Sequence, residues 1–348
     1  MKVATITFGY SQNLGALLQS YALREYIEKQ GHDCDIIKFK DFDNRPFETI
    51  KGIPDGISDI LFFADCKKKI KKINKFRDNY LKFTEKTYYN SEELKELNDN
   101  YDAFIAGSDQ IWNVHKGIIN EFFLDFANDN VKKIAYSASF GLSKIPDEYK
   151  EGVIKGIKRF DAISIREKSG VKIAKDLTGN TYAQTLDPVF LKPRSEWEAM
   201  CDERKVKEKY IFVYPTQITP ELVETVKKAK KKYNCKVYSL FYFIGVDKVV
   251  KDADPLDFIN YIQYAELIIA SSFHATAFAI IFHKNLRVIP HSTTGSRVVD
   301  LLNDINLQKC IVKGEANDFE QIDYNEANNI LQEKIEYSKK YINQSLEE

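Results

Sequence analysis

Apolar runs of strand length alternate with amphipathic stretches of helical length from the start of the chain. Residues 2–8 form a run rich in β-branched and apolar side chains, and residues 34–39 form the next one. Between them, residues 15–31 place apolar side chains at helical spacing up to Gly31, which predicts the end of a helix. This order of strand, loop, helix and strand predicts a crossover unit of a parallel sheet.

The alternation continues through most of the sequence and restarts after a polar seam, residues 192–208. We therefore predict an α/β fold of two tandem domains with a charged C-terminal helix that could cross back; the three segments are residues 1–195, 205–325 and 326–348. Open parallel sheets bind ligands at the carboxyl ends of their strands. The loops that follow the predicted strands are therefore the places where chemistry is expected.

The composition narrows the class of protein. The 348 residues include 51 basic and 51 acidic side chains, and this balance gives no overall field that favours nucleic acid. The five cysteines are scattered and never occur as a CxxC pair, which argues against a disulfide framework and a structural zinc site. Without an apolar signal segment or an apolar run of about 18 residues, the sequence predicts a cytoplasmic protein.

A lysine-rich stretch, residues 67–83, raises the question of a membrane contact. Ile70, Ile73 and Phe76 lie on one face of the helix that it predicts. The lysines then form either an ordinary solvated face or a contact with an anionic membrane surface or a lipid-linked substrate. The inner face of the membrane is therefore kept as an alternative location.

The loop after the first predicted strand has Asn13 between two glycines at the start of a helix. Such a loop either presents backbone N–H groups to an anion or is a polar turn capped by Asn13. It lacks a complete GxGxxG pattern and a Walker lysine, which argues weakly against a dinucleotide or ATP site.

A second strand-end loop, residues 108–113, surrounds a tryptophan with polar side chains. Its residues are Ser108, Asp109, Gln110, Trp112 and Asn113. Such a mixture is typical of a sugar site, in which polar groups bind hydroxyls and an aromatic ring packs on a pyranose face. A structural turn can use the same residues.

Arg166 ends the predicted strand over residues 160–167. At the lip of a sheet, its guanidinium can hold a carboxylate or a phosphate with two hydrogen bonds. The alternative is a salt bridge with Glu167 or another acid.

The stretch 266–282 switches from a short apolar strand to a buried helix at Ser271 and Ser272. Either serine can cap that helix, whose first N–H groups attract anions. His274 falls in the first turn, where an imidazole can give or take a proton near neutral pH. The alternative is a buried ring without a chemical role. In a later strand-end loop, Gly295, Ser296 and Arg297 open another helix and supply a second candidate anion contact.

Four ordered motifs resemble the polysaccharide pyruvyl transferase family and span residues 1 to about 305. They are NLGALLQSYAL, FIAGSDQIWN, DAISIREKSG leading to TLDPVFL, and IIASSFHATAFAIIFHK followed by SRVVDLL. The resemblance implies a GT-B-like fold, with two Rossmann-like domains whose parallel sheets face a central cleft. It also implies transfer of the carboxyvinyl carbons of phosphoenolpyruvate to two sugar hydroxyls, which gives a pyruvate ketal and phosphate.

The resemblance maps the family's histidine and strand-end arginine onto His274 and Arg166. The resulting hypothesis makes His274 the acid and base, with the donor's anionic groups held by Arg166 and the helix start at Ser271 and Ser272. Arg297, with Gly295 and Ser296, is the second anion contact. Some family members carry an arginine at the position of Ser272; Arg297 is the first choice to replace it here, before Lys284 and Arg287.

The acceptor, a sugar or a lipid-linked oligosaccharide of a surface polysaccharide, is expected to contact six residues: Asn13, Ser108, Asp109, Gln110, Trp112 and Asn113. Neither a metal nor a cofactor is expected besides phosphoenolpyruvate as co-substrate. Two alternatives stay open: a sugar-nucleotide glycosyltransferase of the same fold, and a non-catalytic carbohydrate-binding protein.

Overall fold

The computed structural model describes residues 1–40, 57–115, 117–201, 203–314 and 319–347. These residues divide into two compact units. Unit 1 comprises the described residues of 1–50, 77–192 and 332–348, and unit 2 those of 51–76 and 193–331. Each unit contains one parallel sheet with helices, so the predicted α/β class is confirmed.

Unit 1 is built on a six-stranded sheet in the order β2-β1-β3-β4-β5-β6, in which each neighbouring pair is parallel. The strands are β1 Lys2–Ile6, β2 Asp33–Ile36, β3 Ala103–Ala106, β4 Lys132–Ala138, β5 Ala162–Ile165 and β6 Ala183–Gln184. β2 and β3 pair with opposite sides of β1. The strand order therefore reverses between β1 and β3, and we call the loops at the carboxyl ends of these two strands switch point 1.

Unit 2 contains a five-stranded sheet in the order β11-β10-β7-β8-β9, again with parallel neighbours. Its strands are β7 Tyr210–Tyr214, β8 Lys236–Ser239, β9 Lys248–Val249, β10 Leu267–Ala270 and β11 Leu286–Val288. β8 and β10 pair with opposite sides of β7. We call the loops at the carboxyl ends of β7 and β10, together with the loop that follows the neighbouring strand β11, switch point 2.

The α-helices connect and cover these strands. They are α1 Leu14–Lys29, α2 Ile57–Tyr80, α3 Ser91–Leu94, α4 Asp147–Ile157, α5 Lys168–Thr178, α6 Arg194–Met200, α7 Pro220–Tyr233, α8 Pro255–Tyr264, α9 Phe273–Ile281, α10 Ser296–Asp304 and α11 Asn325–Glu347. The interior strands β3 and β10 are buried at every position, as expected for parallel strands covered on both faces. No described helix has both the length and the apolar character needed to span a membrane.

The C-terminal helix α11 supplies part of the core of unit 1. Ile342 and Leu346 are buried there beside residues of β1, β3 and β4. Ser338 Oγ accepts a hydrogen bond of 2.9 Å from the backbone N–H of Leu186. The sequence therefore contributes to unit 1 from its beginning and from its last helix, with unit 2 between them.

Candidate active site

Switch point 2 places His274 at the carboxyl end of β10. Ser271 follows the strand, Ser272 is the N-cap of α9, and His274 lies in the first turn of that helix. His274 is 5% exposed, and its ring meets the ring of Phe273 edge-on with centroids 5.4 Å apart. A histidine is thus held at the edge where open parallel sheets bind ligands.

A hydroxyl bridge joins the two strands of switch point 2. Ser271 Oγ lies 2.9 Å from Thr216 Oγ1 and accepts a 2.6 Å hydrogen bond from the backbone N–H of Thr216. One residue further on, the side-chain oxygen of Gln217 accepts a 3.0 Å hydrogen bond from the backbone N–H of Ser292. Thr216 and Gln217 were not among the predicted site residues, although both follow a strongly apolar strand.

The start of α9 has the character of an anion site. Ser272 has extended backbone angles of −85° and 139°, and its side chain makes no cap hydrogen bond. Its carbonyl accepts hydrogen bonds from the backbone N–H and the hydroxyl of Thr276. The first N–H groups of a helix have no intrahelical acceptor, and the helix dipole favours negative charge there. Ser271 instead bonds Thr216, so the two serines have different tasks.

The loop between β11 and α10 brings Gly295, Ser296 and Arg297 to the same edge of unit 2. A side chain at Gly295 would meet the carbonyl oxygen of His291 at 2.4 Å, which explains the glycine. Ser296 Oγ is buried, and among the described residues it has no hydrogen-bond partner. Arg297 is 8% exposed, and its Nε donates to the carbonyl of Thr294 over 3.3 Å.

The other two candidate cations are placed away from this edge. Lys284 lies between the end of α9 and the start of β11, at the opposite end of the helix from His274. Burial lowers its pKa. Arg287 lies within β11 and donates to the carbonyls of Leu286 and Glu320, over 2.6 and 3.1 Å. Of the three candidate cations, Arg297 is the one that lies at the same edge of unit 2 as Ser272.

Switch point 1 is bridged in a similar way but closed by its own hydrogen bonds. Thr7 Oγ1 donates to the carbonyl of Ser108 over 2.8 Å, and Gln19 Oε1 accepts from the backbone N–H of Ser108 over 3.1 Å. Ser108 is fully buried, and its hydroxyl lies 2.8 Å from the carbonyl of Ser137 and 3.1 Å from Asp187. The serine predicted to contact an acceptor is therefore occupied inside the unit.

Trp112 is also placed differently from the prediction. It is 1% exposed, and its ring stacks on Phe123 with centroids 5.3 Å apart and an interplanar angle of 3°. Its Nε1 donates to the carbonyl of Phe122. The ring therefore belongs to the hydrophobic core, where it has no face available for a pyranose. Its polar neighbours in the sequence suggested a surface position, because the sequence pattern does not show which distant residues pack against the ring.

Arg166 lies in a buried cluster with three carboxylates. Its side chain is 2% exposed; Nη1 lies 2.6 Å from Asp187, Nη2 lies 3.5 Å from Asp109, and Nε lies 3.9 Å from Glu167. Burial alone would lower the pKa of Arg166, but the three carboxylates outweigh it and raise the pKa above its ordinary value. Of the two roles predicted for Arg166, the structure therefore shows the salt bridge with an acid, and Asp187 is the nearest carboxylate.

The arginine cluster shapes the loop that carries the acceptor candidates. Asp109 has a φ of 77°, which is uncommon for a side chain other than glycine, and its Oδ1 accepts from the backbone N–H of Gln110. Glu167 Oε1 accepts hydrogen bonds from the hydroxyl of Ser139 and from the backbone N–H groups of Phe140 and Gly141. Arg166 and Glu167 together therefore fix the ends of β3, β4 and β5.

Four polar side chains remain partly exposed or unsatisfied around switch point 1. Asn13 caps α1, with its Oδ1 accepting from the N–H groups of Gly15 and Ala16. Gln110 Oε1 accepts from Asn113 Nδ2 over 3.2 Å, and both residues are partly exposed. Gln12 Nε2 is buried, and in the described part of the chain it has no hydrogen-bond partner. Gln12 was not predicted as a site residue, because its position in the loop was the only feature that distinguished it.

No group of three or more His, Cys, Asp or Glu side chains within the described ranges has the arrangement of a metal site.

Comparisons with known proteins place this geometry in a family. The sequence profile described as polysaccharide pyruvyl transferase matches residues 13–293, which include Asn13, Arg166 and His274 and stop before Gly295. The resemblance seen in the motifs is thereby confirmed. No curated protein sequence matches the chain significantly.

Solved structures show the same fold at low sequence identity. UDP-GlcNAc 2-epimerase from Methanocaldococcus jannaschii is 11% identical, with a TM-score of 0.52 over 97% of this chain and 92% of that one. The S. aureus MnaA–UDP co-structure is 12% identical, with a TM-score of 0.51 over 95% and 86% of the two chains. At such identities the likeness extends to the fold alone.

Proposed function

Because the chain belongs to the polysaccharide pyruvyl transferase family, we propose that it transfers the carboxyvinyl group of phosphoenolpyruvate to two hydroxyls of a sugar. The product is a pyruvate ketal, and inorganic phosphate is released. The acceptor is a sugar of a surface polysaccharide or of its lipid-linked precursor, and the reaction takes place in the cytoplasm. The proposed reaction uses phosphoenolpyruvate as its co-substrate and assigns no task to a metal or cofactor.

The observation that carries this proposal is the composition of switch point 2. Its three segments, residues 214–217, 271–274 and 291–297, contain one arginine, two histidines and no acidic residue. Hydroxyls, amide groups and a helix N-terminus complete the set. Phosphoenolpyruvate carries a phosphate and a carboxylate, and these segments supply hydrogen-bond donors and contain no acidic side chain.

The reaction needs a group that moves protons at C3 of phosphoenolpyruvate and at the attacking hydroxyl. In the proposal, the His274 imidazolium gives a proton to C3, which makes C2 electrophilic, and the first sugar hydroxyl forms a bond to C2. His274 then takes the proton of that hydroxyl. The C2–O bond to phosphate breaks, the second hydroxyl bonds to C2, and its proton leaves with the phosphate. One imidazole thus acts as acid and then as base.

The donor's charged groups are assigned to the two helix starts of switch point 2. The N-terminus of α9 binds one anionic group. The side chain of the N-cap residue Ser272 makes no cap hydrogen bond, so the first backbone N–H groups of the helix can bind the ligand. Ser296, whose buried hydroxyl has no partner in the described part of the chain, and Arg297 bind the other. Gly295 permits the close turn that brings them there.

The acceptor hydroxyls are assigned to switch point 1, through Gln12, Asn13, Gln110 and Asn113. These are amide side chains, which suit neutral hydroxyls better than an anionic donor. Arg166 is a positioning residue in this proposal, because its contacts with Asp187 and Asp109 fix the loop rather than reach outward. Ser108, Asp109 and Trp112 support the same loop from inside unit 1.

The first test is a thermal-shift titration with phosphoenolpyruvate, UDP-galactose and UDP-N-acetylglucosamine. A ligand that binds only the native state raises its stability, by about 2.7 kcal/mol at a hundredfold excess over Kd. We expect stabilisation by phosphoenolpyruvate alone. Stabilisation by a nucleotide sugar alone would replace the proposal with glycosyl transfer.

A chemical assay distinguishes transfer from simple binding. Phosphoenolpyruvate and a panel of sugar acceptors are incubated with the protein, released phosphate is measured, and the ketal methyl group is sought by NMR. Phosphate release that requires both substrates, together with a ketal signal, is the expected result. Binding of phosphoenolpyruvate without either product across the panel would favour a non-catalytic protein.

A further inference from the structure

Large apolar side chains are exposed in one place on unit 2. Ile218, Phe241, Tyr242 and Ile244 account for four of the seven strongly exposed large apolar residues in the described chain, and Tyr242 and Ile244 are each 77% exposed. The other three, Met1, Tyr89 and Tyr337, are scattered over unit 1. Exposed apolar groups that cluster mark an interaction surface.

The fold explains why these four residues share an edge. Ile218 follows β7, and Phe241 to Ile244 follow β8. Because β7 and β8 are adjacent and parallel, both loops leave the carboxyl edge of the sheet, where His274 also lies. We call these two loops the apolar rim.

Contacts with the core of unit 2 fix the conformation of the β8 loop in the apolar rim. Phe243 is 4% exposed and belongs to the core of unit 2, while its neighbours Tyr242 and Ile244 point outward. Phe241 meets the ring of Tyr214 edge-on, with centroids 5.4 Å apart. The buried anchor fixes which side chains the loop exposes.

A basic helix lies at the same edge. Asp252 is located between β9 and α8, and it pairs with Lys68 and Lys72 of α2 at 2.6 and 3.1 Å. Lys67, Lys71 and Lys75 of this helix are exposed and recur every four residues, which places them along one side of α2. The opposite side is anchored by the buried Ile73 and Phe76.

We propose that the apolar rim and the exposed lysines of α2 dock on an anionic lipid surface. The apolar rim enters the headgroup region, and the lysines of α2 supply the electrostatic attraction. The combination favours a membrane over a sugar, since two of the four exposed side chains are isoleucines with no ring to stack on a pyranose. It also favours a membrane over a second copy of the chain, because the adjoining lysines would repel one another across a symmetric contact. Docking on lipid is separate from the transfer reaction and does not depend on it.

The first test places a tryptophan in the rim. The two native tryptophans, Trp112 and Trp197, are buried, so Tyr242→Trp adds an exposed reporter. With vesicles of phosphatidylcholine and phosphatidylglycerol, its emission is expected to shift to the blue. Tyr337→Trp, at a position 51% exposed in unit 1, is the matched control and is expected not to shift. An unchanged Tyr242→Trp spectrum, or equal shifts in both variants, would overturn the proposal.

The second test removes the charge. Replacing Lys67, Lys71 and Lys75 with Glu is expected to reduce the partition coefficient on the anionic vesicles by at least about 10-fold, since each lysine near such a surface contributes attraction. The control replaces Lys227, Lys231 and Lys232 of α7, which are exposed toward the end of the helix that precedes β8. Equal losses in the two triple variants would contradict the assigned surface.

The third test distinguishes lipid from protein as the occupant. The double variant Tyr242→Ser, Ile244→Ser is compared with the parent by vesicle sedimentation and by analytical ultracentrifugation without lipid. Weaker sedimentation with an unchanged molecular mass supports the membrane. A dimer in the parent that becomes a monomer in the variant, with vesicle binding unchanged, would show instead that the rim is a protein interface. Phosphoenolpyruvate binding is measured in parallel, so a failure of the transfer proposal is recognised separately.

Discussion

The two switch points are alike in construction and opposite in electrostatics. In each, a threonine after one strand meets a serine after its neighbour: Thr7 bonds the carbonyl of Ser108, and Thr216 bonds the hydroxyl of Ser271. Beyond that bridge, switch point 1 continues into a buried cluster with three carboxylates around Arg166. Switch point 2 continues into two helix starts, a histidine and Arg297.

The difference shows how one fold can separate two tasks. Arg166 forms ion pairs with three carboxylates at the strand ends. These pairs compensate its positive charge, so the cluster does not attract an anion. The three segments of switch point 2 contain no acid at all. This difference supports the proposal that the anionic donor binds unit 2 and the neutral acceptor binds unit 1.

The largest expected effect comes from Arg166→Ala. Removing the guanidinium leaves Asp187, Asp109 and Glu167 buried without their shared cation, which is expected to reduce the free energy of unfolding by about 3–5 kcal/mol. Chemical denaturation measures this loss. Arg194→Ala removes an exposed pair with Glu198 and is the control, with an expected change of about 0.5 kcal/mol or less.

A stable Arg166→Ala protein that has lost only phosphoenolpyruvate binding would break the comparison. It would return Arg166 to the donor site and make the two switch points electrostatically alike.

The next effect concerns His274. His274→Asn is expected to reduce kcat for ketal formation by roughly 100-fold, equal to about 2.7 kcal/mol, because the proton-transferring group is lost. The same substitution at His283, an exposed residue at the far end of α9, is the control and is expected to leave kcat unchanged. Equal rates for the parent and His274→Asn would remove the chemical role from switch point 2.

Arg297→Ala is expected to weaken phosphoenolpyruvate binding by about 10-fold, or 1.4 kcal/mol, with a smaller effect on thermal stability. Calorimetric titration measures the binding constant. Arg287→Ala is the control variant, because Arg287 lies within β11 and its guanidinium donates hydrogen bonds to backbone carbonyls. It is expected to reduce stability and leave donor affinity intact. The reverse pattern in the two variants would move the second anion contact to Arg287.

The smallest expected effect on the reaction is that of Trp112→Phe. Loss of the 3.2 Å hydrogen bond to Phe122 and of part of the buried ring is expected to reduce stability by about 1–3 kcal/mol and to leave the KM of the acceptor unchanged. Trp197→Phe, in the core of unit 2, gives a matched measure of a buried tryptophan. A raised acceptor KM without loss of stability in Trp112→Phe would return this ring to the sugar site.

Local patterns in the sequence predicted the parallel α/β class and the strand-to-helix junction at His274. Each of these depends on apolar periodicity within a few neighbouring residues. Contacts between distant residues escaped prediction: Asp187 reaches Arg166 from 21 residues away, and Thr216 reaches Ser271 from 55 residues away. Trp112 was misplaced for the same reason, since its stacking partner Phe123 belongs to another element.

The contribution of α11 to unit 1 also sets an order of assembly during synthesis. Residues 332–348 leave the ribosome after all of unit 2, yet Ile342 and Leu346 are buried in the core of unit 1. Because domains generally fold as units, N-terminal parts first, unit 2 is complete while unit 1 still lacks its last helix. The core of unit 1, which includes β1, therefore receives its last residues only after those of unit 2 have been synthesised.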